Sequence, residues 1–160
     1  MANVLEKELM NNTRVPEPVY RTACLADLDQ IMAIEKAVFP EAPQYYMLRQ
    51  LFDLHGSDWL VAELDDVVIG YALILSKDRR ALLSTFAVVE HLQRRGYGRE
   101  LLACAMERCR ETEVSTMWLT VRPANLRAAR MFKEAGFVPD RYVDDYFGPG
   151  AARDVMECTL

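Results

Sequence analysis

The apolar run Leu82-Leu83-Ser84-Thr85-Phe86-Ala87-Val88-Val89 reads as a buried strand, and it leads into Gln93-Arg94-Arg95-Gly96-Tyr97-Gly98. Arg99 follows, and then apolar residues at helical spacing, Leu101, Leu102, Ala105 and Met106. A buried strand, a turn with two glycines and a helix, in that order, build an anion site. Glycine lets a backbone approach a ligand closely, because it lacks Cβ and tolerates positive φ. The first N–H groups of a helix have no intrahelical acceptor and lie at the positive end of its dipole. A phosphate there meets several donors at once, and Arg94, Arg95 and Arg99 offer charge-assisted contacts at its rim. A further strand over 116–121 makes this a crossover unit, so the two strands run parallel with a right-handed connection. Ligands of such sheets bind beyond the carboxyl ends of the strands, where this loop sits.

The rest of the chain supplies a single α/β domain with a mixed central sheet flanked by helices. Residues 1–15 are polar and charged, and Pro16 and Pro18 separate them, as an extension, from a domain spanning 16–160. The expected elements begin with a strand over 19–22 and a helix over 25–38 stopped by Pro40. A second helix opens at Pro43 and is closed by Gly56 as a C-cap. A hairpin over 59–64 and 67–75 turns at Asp65-Asp66, a poorer turn pair than Asp-Gly. A turn at 77–80 leads into the strand at 82–89. Helices over 97–111 and 125–135 bracket the strand at 116–121, and strands over 141–146 and 153–160 finish the chain.

Charge and cysteine content narrow the function. With 19 basic and 24 acidic residues the formal charge is −5, which argues against a general nucleic-acid surface and makes the arginine cluster a local phosphate site. The four cysteines, Cys24, Cys104, Cys109 and Cys158, form no C-x-x-C pair, and only His55 and His91 accompany them. No metal site is expected, and the thiols read as reduced. No apolar run reaches transmembrane length and the N-terminus lacks a signal-like pattern, so a cytoplasmic protein without membrane association is expected.

The glycines are two apart, so neither the dinucleotide fingerprint nor the P-loop spacing fits. Strand, Q-R-R-G-Y-G and helix resemble the acyl-coenzyme A pyrophosphate loop of the GNAT superfamily of N-acetyltransferases. The run from Asn125 to Phe137 resembles that family's N-x-x-A-x-x-x-[YF]-x-x-x-G-F helix. Asp145-Tyr146-Phe147-Gly148 with Arg153-Asp154-Val155-Met156 resembles the terminal hairpin of ribosomal-protein alanine and other protein N-terminal acetyltransferases, and Ile34-Glu35 to Phe39-Pro40 has a similar look. The likeness runs from about residue 19 to 160.

The resemblance implies acetyl-coenzyme A as cosubstrate and acetyl transfer to an amine by direct attack on the thioester. It implies that the backbone of Phe86, Ala87 and Val88 lies beside pantetheine and that Gln93, Arg94, Arg95, Gly96, Tyr97, Gly98 and Arg99 surround the pyrophosphate. Asn125 would touch pantetheine as well as cap a helix, and Phe132 would lie near the thiol. The Val88 N–H is the implied oxyanion donor. The family's usual proton-transfer positions hold Leu82, Thr120 and Phe132, with Ser84 two residues beyond Leu82. Other candidates for proton transfer are Tyr146 and Tyr142 on the terminal hairpin and Glu41 between the first two helices, each of which has an ordinary packing or surface role as its alternative. The acceptor is expected to be an amine of low pKa, a protein N-terminus or a small molecule, and the protein a monomer or homodimer. The empty proton-transfer positions also suit a second reading, an acyl-coenzyme A-binding domain with little turnover.

Overall fold

The computed structural model describes residues 16–160; the expected 1–15 extension lies outside the described residues. Seven strands form one sheet: β1 (Val19–Thr22), β2 (Trp59–Leu64), β3 (Val67–Lys77), β4 (Arg80–Val88), β5 (Thr116–Val121), β6 (Val138–Val143) and β7 (Arg153–Thr159). Their order is β1-β2-β3-β4-β5-β7-β6. Every neighbouring pair is antiparallel except β4 and β5, as the crossover through a helix requires. Four α-helices flank the sheet: α1 (Leu28–Val38), α2 (Tyr45–His55), α3 (Tyr97–Arg110) and α4 (Leu126–Glu134).

Alternation along the strands feeds two cores. Ala81 and Leu83 of β4 with Met117, Leu119 and Val121 of β5 pack with Leu101, Leu102, Ala105 and Phe132 from α3 and α4. On the other face Trp59, Tyr71, Leu73 and Ala87 pack with Leu28, Ile31 and Leu48 from α1 and α2. At about 1.5–3 kcal/mol for each large apolar side chain fully buried, these two faces supply the main driving force for the fold.

Local chemistry moved several boundaries. Residues 25–27 form a 3-10 turn before α1. There Asp27 accepts both guanidinium nitrogens of Arg21, at 2.7 and 2.8 Å, and the Cys24 N–H at 2.7 Å. Gly56 follows α2 with φ −55°, so it continues into a 3-10 turn and is not a left-handed cap. Both Asp65 and Asp66 adopt positive φ, 50° and 62°, and so meet the demand of a two-residue hairpin turn without glycine. β3 and β4 are longer than expected because Asp78 and Arg79, also at positive φ, make a tight two-residue turn. The last hairpin differs most: β6 covers Val138–Val143 rather than 141–146. Pro139 is tolerated there because β6 is the sheet's edge strand and a bulge falls between Pro139 and Arg141. Tyr146 therefore lies in the turn between β6 and β7, not on a strand.

Candidate active site

β4 and β5 are paired only over Arg80–Leu82 with Thr116–Trp118, while β3 stays paired with β4 to Val88. Beyond Leu82 the edge of β4 that faces β5 has no strand partner among the described residues. A bulge at Ser84, between the register pairs Leu83↔Ile74 and Thr85↔Leu73, marks the point of departure, where an extra residue bends the strand. The Val89 N–H bonds Ile69 of β3 at 2.8 Å. By alternation, the N–H and C=O of Val88 and Phe86 turn to the opposite edge, into the opening. The Val88 carbonyl accepts the Gln93 side-chain amide at 2.9 Å, and by the same alternation its N–H turns into the opening.

The loop closes the top of this opening. Arg94 (φ 64°) and Gly96 (φ 95°) are left-handed, and the chain enters α3 directly from Gly96. From Arg94 to Arg99, no backbone N–H has an acceptor among the described residues; the first bond of the helix is Glu100 N–H to the Gly96 carbonyl, 3.1 Å. A Cβ at Gly96 would meet nothing within 4 Å, and one at Gly98 only Met131, Val88 and Phe86 at 3.5–3.8 Å. Consecutive free donors around open space, at the positive end of a 14-residue helix, fit a pyrophosphate.

The side chains around the loop divide into two groups. Arg94 and Arg95 are exposed and pair with no carboxylate among the described residues. Arg99 is tied to Glu134 of α4, and Gln93 accepts a hydrogen bond from Arg127. The Arg99 and Arg127 contacts brace the loop against α4; Arg127 gave no signal in the sequence, since only the fold brings it to Gln93. Tyr97 is partly buried and packs on the core beneath α3. Asn125 caps α4 by accepting the Ala128 N–H at 3.2 Å. Phe132 is 6% exposed and makes an edge contact with Phe86, centroids 6.1 Å apart.

The three proton-transfer candidates are spread over different surroundings. Tyr146 is half-buried, stands edge-on to Phe147 at 4.8 Å, and its hydroxyl has no hydrogen-bond partner among the described residues. The Arg153 guanidinium covers the same Phe147 ring at 4.9 Å. Glu41, exposed in the α1–α2 loop, is close enough to Arg153 to raise its pKa against the larger lowering by burial and by Arg122. Phe147 thus links Tyr146 to Arg153, and Glu41 acts on Arg153 by charge alone. Tyr142 is apart from them: it is 57% exposed on edge strand β6 and donates its hydroxyl to Asp144 at 2.9 Å. That bond, and then burial, push its pKa up. Leu82 and Thr120 lie on the sheet face turned away from α3 and α4, opposite Trp118 and Val155 respectively. Among the described residues no cluster of histidine, cysteine or carboxylate side chains is arranged to hold a metal, and no helix is long and apolar enough to cross a membrane.

A sheet split between its parallel strands, with a donor-lined loop over the split, defines an acyl-coenzyme A-dependent transferase. Residues 28–137 match the Acetyltransferase (GNAT) family model; the chain belongs to that family and is an acetyl-coenzyme A-dependent N-acetyltransferase. Among similar proteins, an N-alpha-acetyltransferase of Sulfolobus acidocaldarius is 27% identical over 153 residues, covering 88% of this chain and 91% of that protein. A ribosomal protein bS18-alanine N-acetyltransferase of Salmonella typhimurium is 32% identical over 91 residues, 56% of this chain and 62% of that one. The crystal structure of Ard1 from Thermoplasma volcanium superposes with a TM-score of 0.84 at 23% identity, covering 89% of this chain and 97% of that chain.

Proposed function

We propose that the acceptor is an amine of low pKa, first of all the α-amine of a polypeptide. One observation carries this: Leu82, Thr120 and Phe132, at the positions that usually hold the family's proton-transfer groups, cannot take a proton from an ammonium group. A lysine side chain has a pKa of about 10.4, and an α-amine about 7.7–8.0. At pH 7.4 roughly one lysine in a thousand is neutral, a cost of about 4 kcal/mol, against well under about 1 kcal/mol for the α-amine. The N-alpha-acetyltransferase names of the relatives support the same choice.

In this reading the free N–H groups from Arg94 to Arg99 surround the pyrophosphate, with Gln93 fixing the loop and the charges of Arg94 and Arg95 at the rim. The open edge at Phe86, Ala87 and Val88 lies beside pantetheine, with Asn125 across from it. Acetyl-coenzyme A supplies an activated acyl group and a good leaving group. The Val88 N–H stabilises negative charge as it develops on the acyl oxygen, which a preorganised donor does without reorganisation. Phe132 provides an apolar wall. Tyr146 relays the proton, because its hydroxyl is unengaged, and Glu41 holds the incoming ammonium group before it loses that proton. Tyr142, bound to Asp144, is the weakest of the three. The reduced cysteines suit a cytoplasmic location.

The test uses two peptides of one sequence, one with a free N-terminus and blocked lysine, the other reversed. The α-amine should be acetylated faster at neutral pH, and at subsaturating acceptor the pH profile should rise with deprotonation of the free amine and follow that amine's own pKa across a series. Faster acetylation of the lysine would refute the proposal.

A further inference from the structure

On the sheet face away from α3 and α4, a groove of about 420 Å³ runs from the point where β4 and β5 part toward the start of β4. Leu82 and Trp118, both only partly buried, and Val155 form its floor. Every charged side chain lining it is basic, namely Lys77, Arg80 and Arg141, in a chain whose net charge is −5. Two of these cations have local partners, Arg80 with Glu157 at 2.9 Å and Arg141 with Asp140 at 2.6 Å. Both pairs are at the surface, where such a contact is weak and is readily exchanged for another anion. Lys77 is in no ion pair among the described residues.

We infer that this groove binds an acidic segment of the acceptor polypeptide, a few residues beyond the amine that is acetylated. The inference rests on the α-amine reading above and adds a determinant to it. Leu82 belongs both to the groove floor and to the last paired position before the opening, so groove and opening are continuous. Val88 lies six residue steps along β4 from Leu82, roughly 20 Å at about 3.3 Å per residue. An extended acceptor with its amine near Val88 therefore reaches the groove with residues about four to eight. The apolar floor packs side-chain stems and the basic rim meets carboxylates, a complementarity that selects partners and weakens with salt.

The experiment compares two peptides with the same first three residues and a free α-amine, one carrying three Asp or Glu at positions 4–8 and the other Asn or Gln there. The acidic peptide should show at least tenfold higher kcat/KM at low salt, mainly through KM, and lose most of this advantage in high salt. Lys77→Glu with Arg141→Glu should abolish the preference while turnover of a tripeptide, too short to reach the groove, stays unchanged. Equal kcat/KM for the two long peptides overturns the inference and leaves the α-amine reading standing. If neither peptide is acetylated, that reading fails, and calorimetry with the N-blocked acidic peptide decides the groove alone. Binding that the double variant loses supports the inference, and no binding refutes it. A homodimer that the double variant dissociates, without peptide discrimination, assigns the groove to a second copy and also refutes it.

Discussion

The two sides of the opening are built from different materials. On the side proposed for the cofactor the candidate groups are backbone: the N–H groups of Arg94 to Arg99, without acceptors among the described residues, and the edge of β4 at Val88. They are fixed by the register with β3 and braced by Gln93, Arg127 and the Arg99–Glu134 pair. On the side proposed for the acceptor they are side chains on turns, Glu41 and Tyr146, the second steadied by its contact with Phe147 and the first within reach of the charge of Arg153. A backbone site tolerates side-chain replacement but not an obstructed approach. A side-chain site behaves the other way round.

Gly98→Val should break the cofactor side most completely. The fold accepts a Cβ at Gly98, whose nearest neighbours are at ordinary contact distances of 3.5–3.8 Å, but a branched side chain projects among the free donors. Acetyl-coenzyme A affinity should fall more than about a hundredfold by calorimetric titration, with little change in Tm. An unchanged affinity would remove the pyrophosphate from this loop.

On the acceptor side the corresponding test is Tyr146→Phe. A positioned proton-transfer group contributes roughly 10²–10⁴-fold, and water substitutes in part at an exposed turn, so kcat should drop about ten- to a hundredfold. The acetyl-coenzyme A dissociation constant should stay put. Full activity would shift the role to Glu41 or leave the amine to lose its proton to water.

The rim arginines should matter less than either. Arg94→Ala or Arg95→Ala removes one charged contact of an exposed side chain while every N–H donor remains, so about 1 kcal/mol, roughly fivefold in affinity, is expected. A loss as large as that of Gly98→Val would mean that side chains, not backbone, hold the cofactor.

This contrast also explains what the sequence disclosed. Gly96 and Gly98 before a helix announce a backbone site directly: Gly96 takes a left-handed path that L side chains rarely adopt, and Gly98 leaves the space beside Val88 and Phe86 open. The seven strands followed from periodicity and turns, and even Asp65-Asp66 kept its hairpin. The departures came where the edge of the sheet overrode local signals, as when Pro139 entered β6 and left Tyr146 on the turn. The acceptor cluster was only half legible. Glu41 and Tyr146 stood out as ionisable residues, but the charge of Glu41 acting on Arg153, more than a hundred positions away in the chain, and the stacking of Arg153 on the ring beside Tyr146 are tertiary facts. The basic groove was not legible at all, since Lys77 and Arg141 come from strands that are not neighbours in the sheet.

On the α1 side of the sheet lie two buried carboxylates, and their opposite titration gives the smallest and last test. Asp27, 4% exposed, is held by Arg21, which lowers its pKa to about 2 against the cost of burial. Glu35 of α1 is 2% exposed, and its one hydrogen-bond partner among the described residues is the buried Tyr71 hydroxyl. Burial pushes its pKa up, with Tyr71 opposing. A carboxylate with a depressed folded pKa contributes stability present above the unfolded value of about 3.9, and loses it as pH falls through about 2. Glu35 works in the other direction. Between its unfolded value, near 4.3, and its raised folded value, the native state binds more protons than the unfolded state. Its contribution is therefore complete below about pH 4.3 and declines as pH rises toward the folded value. Glu35→Gln keeps an acceptor for Tyr71 and cannot ionise, so the variant's Tm should fall less than the wild type's as pH rises from about 4.3 through neutrality. Acetyl-coenzyme A affinity should be unchanged, because Glu35 packs on the face of the sheet away from α3 and α4 and touches none of the backbone donors. Parallel Tm profiles for the two proteins would mean that Glu35 is ionised in the native state, and a loss of cofactor affinity would mean that the two sides of the opening are not independent.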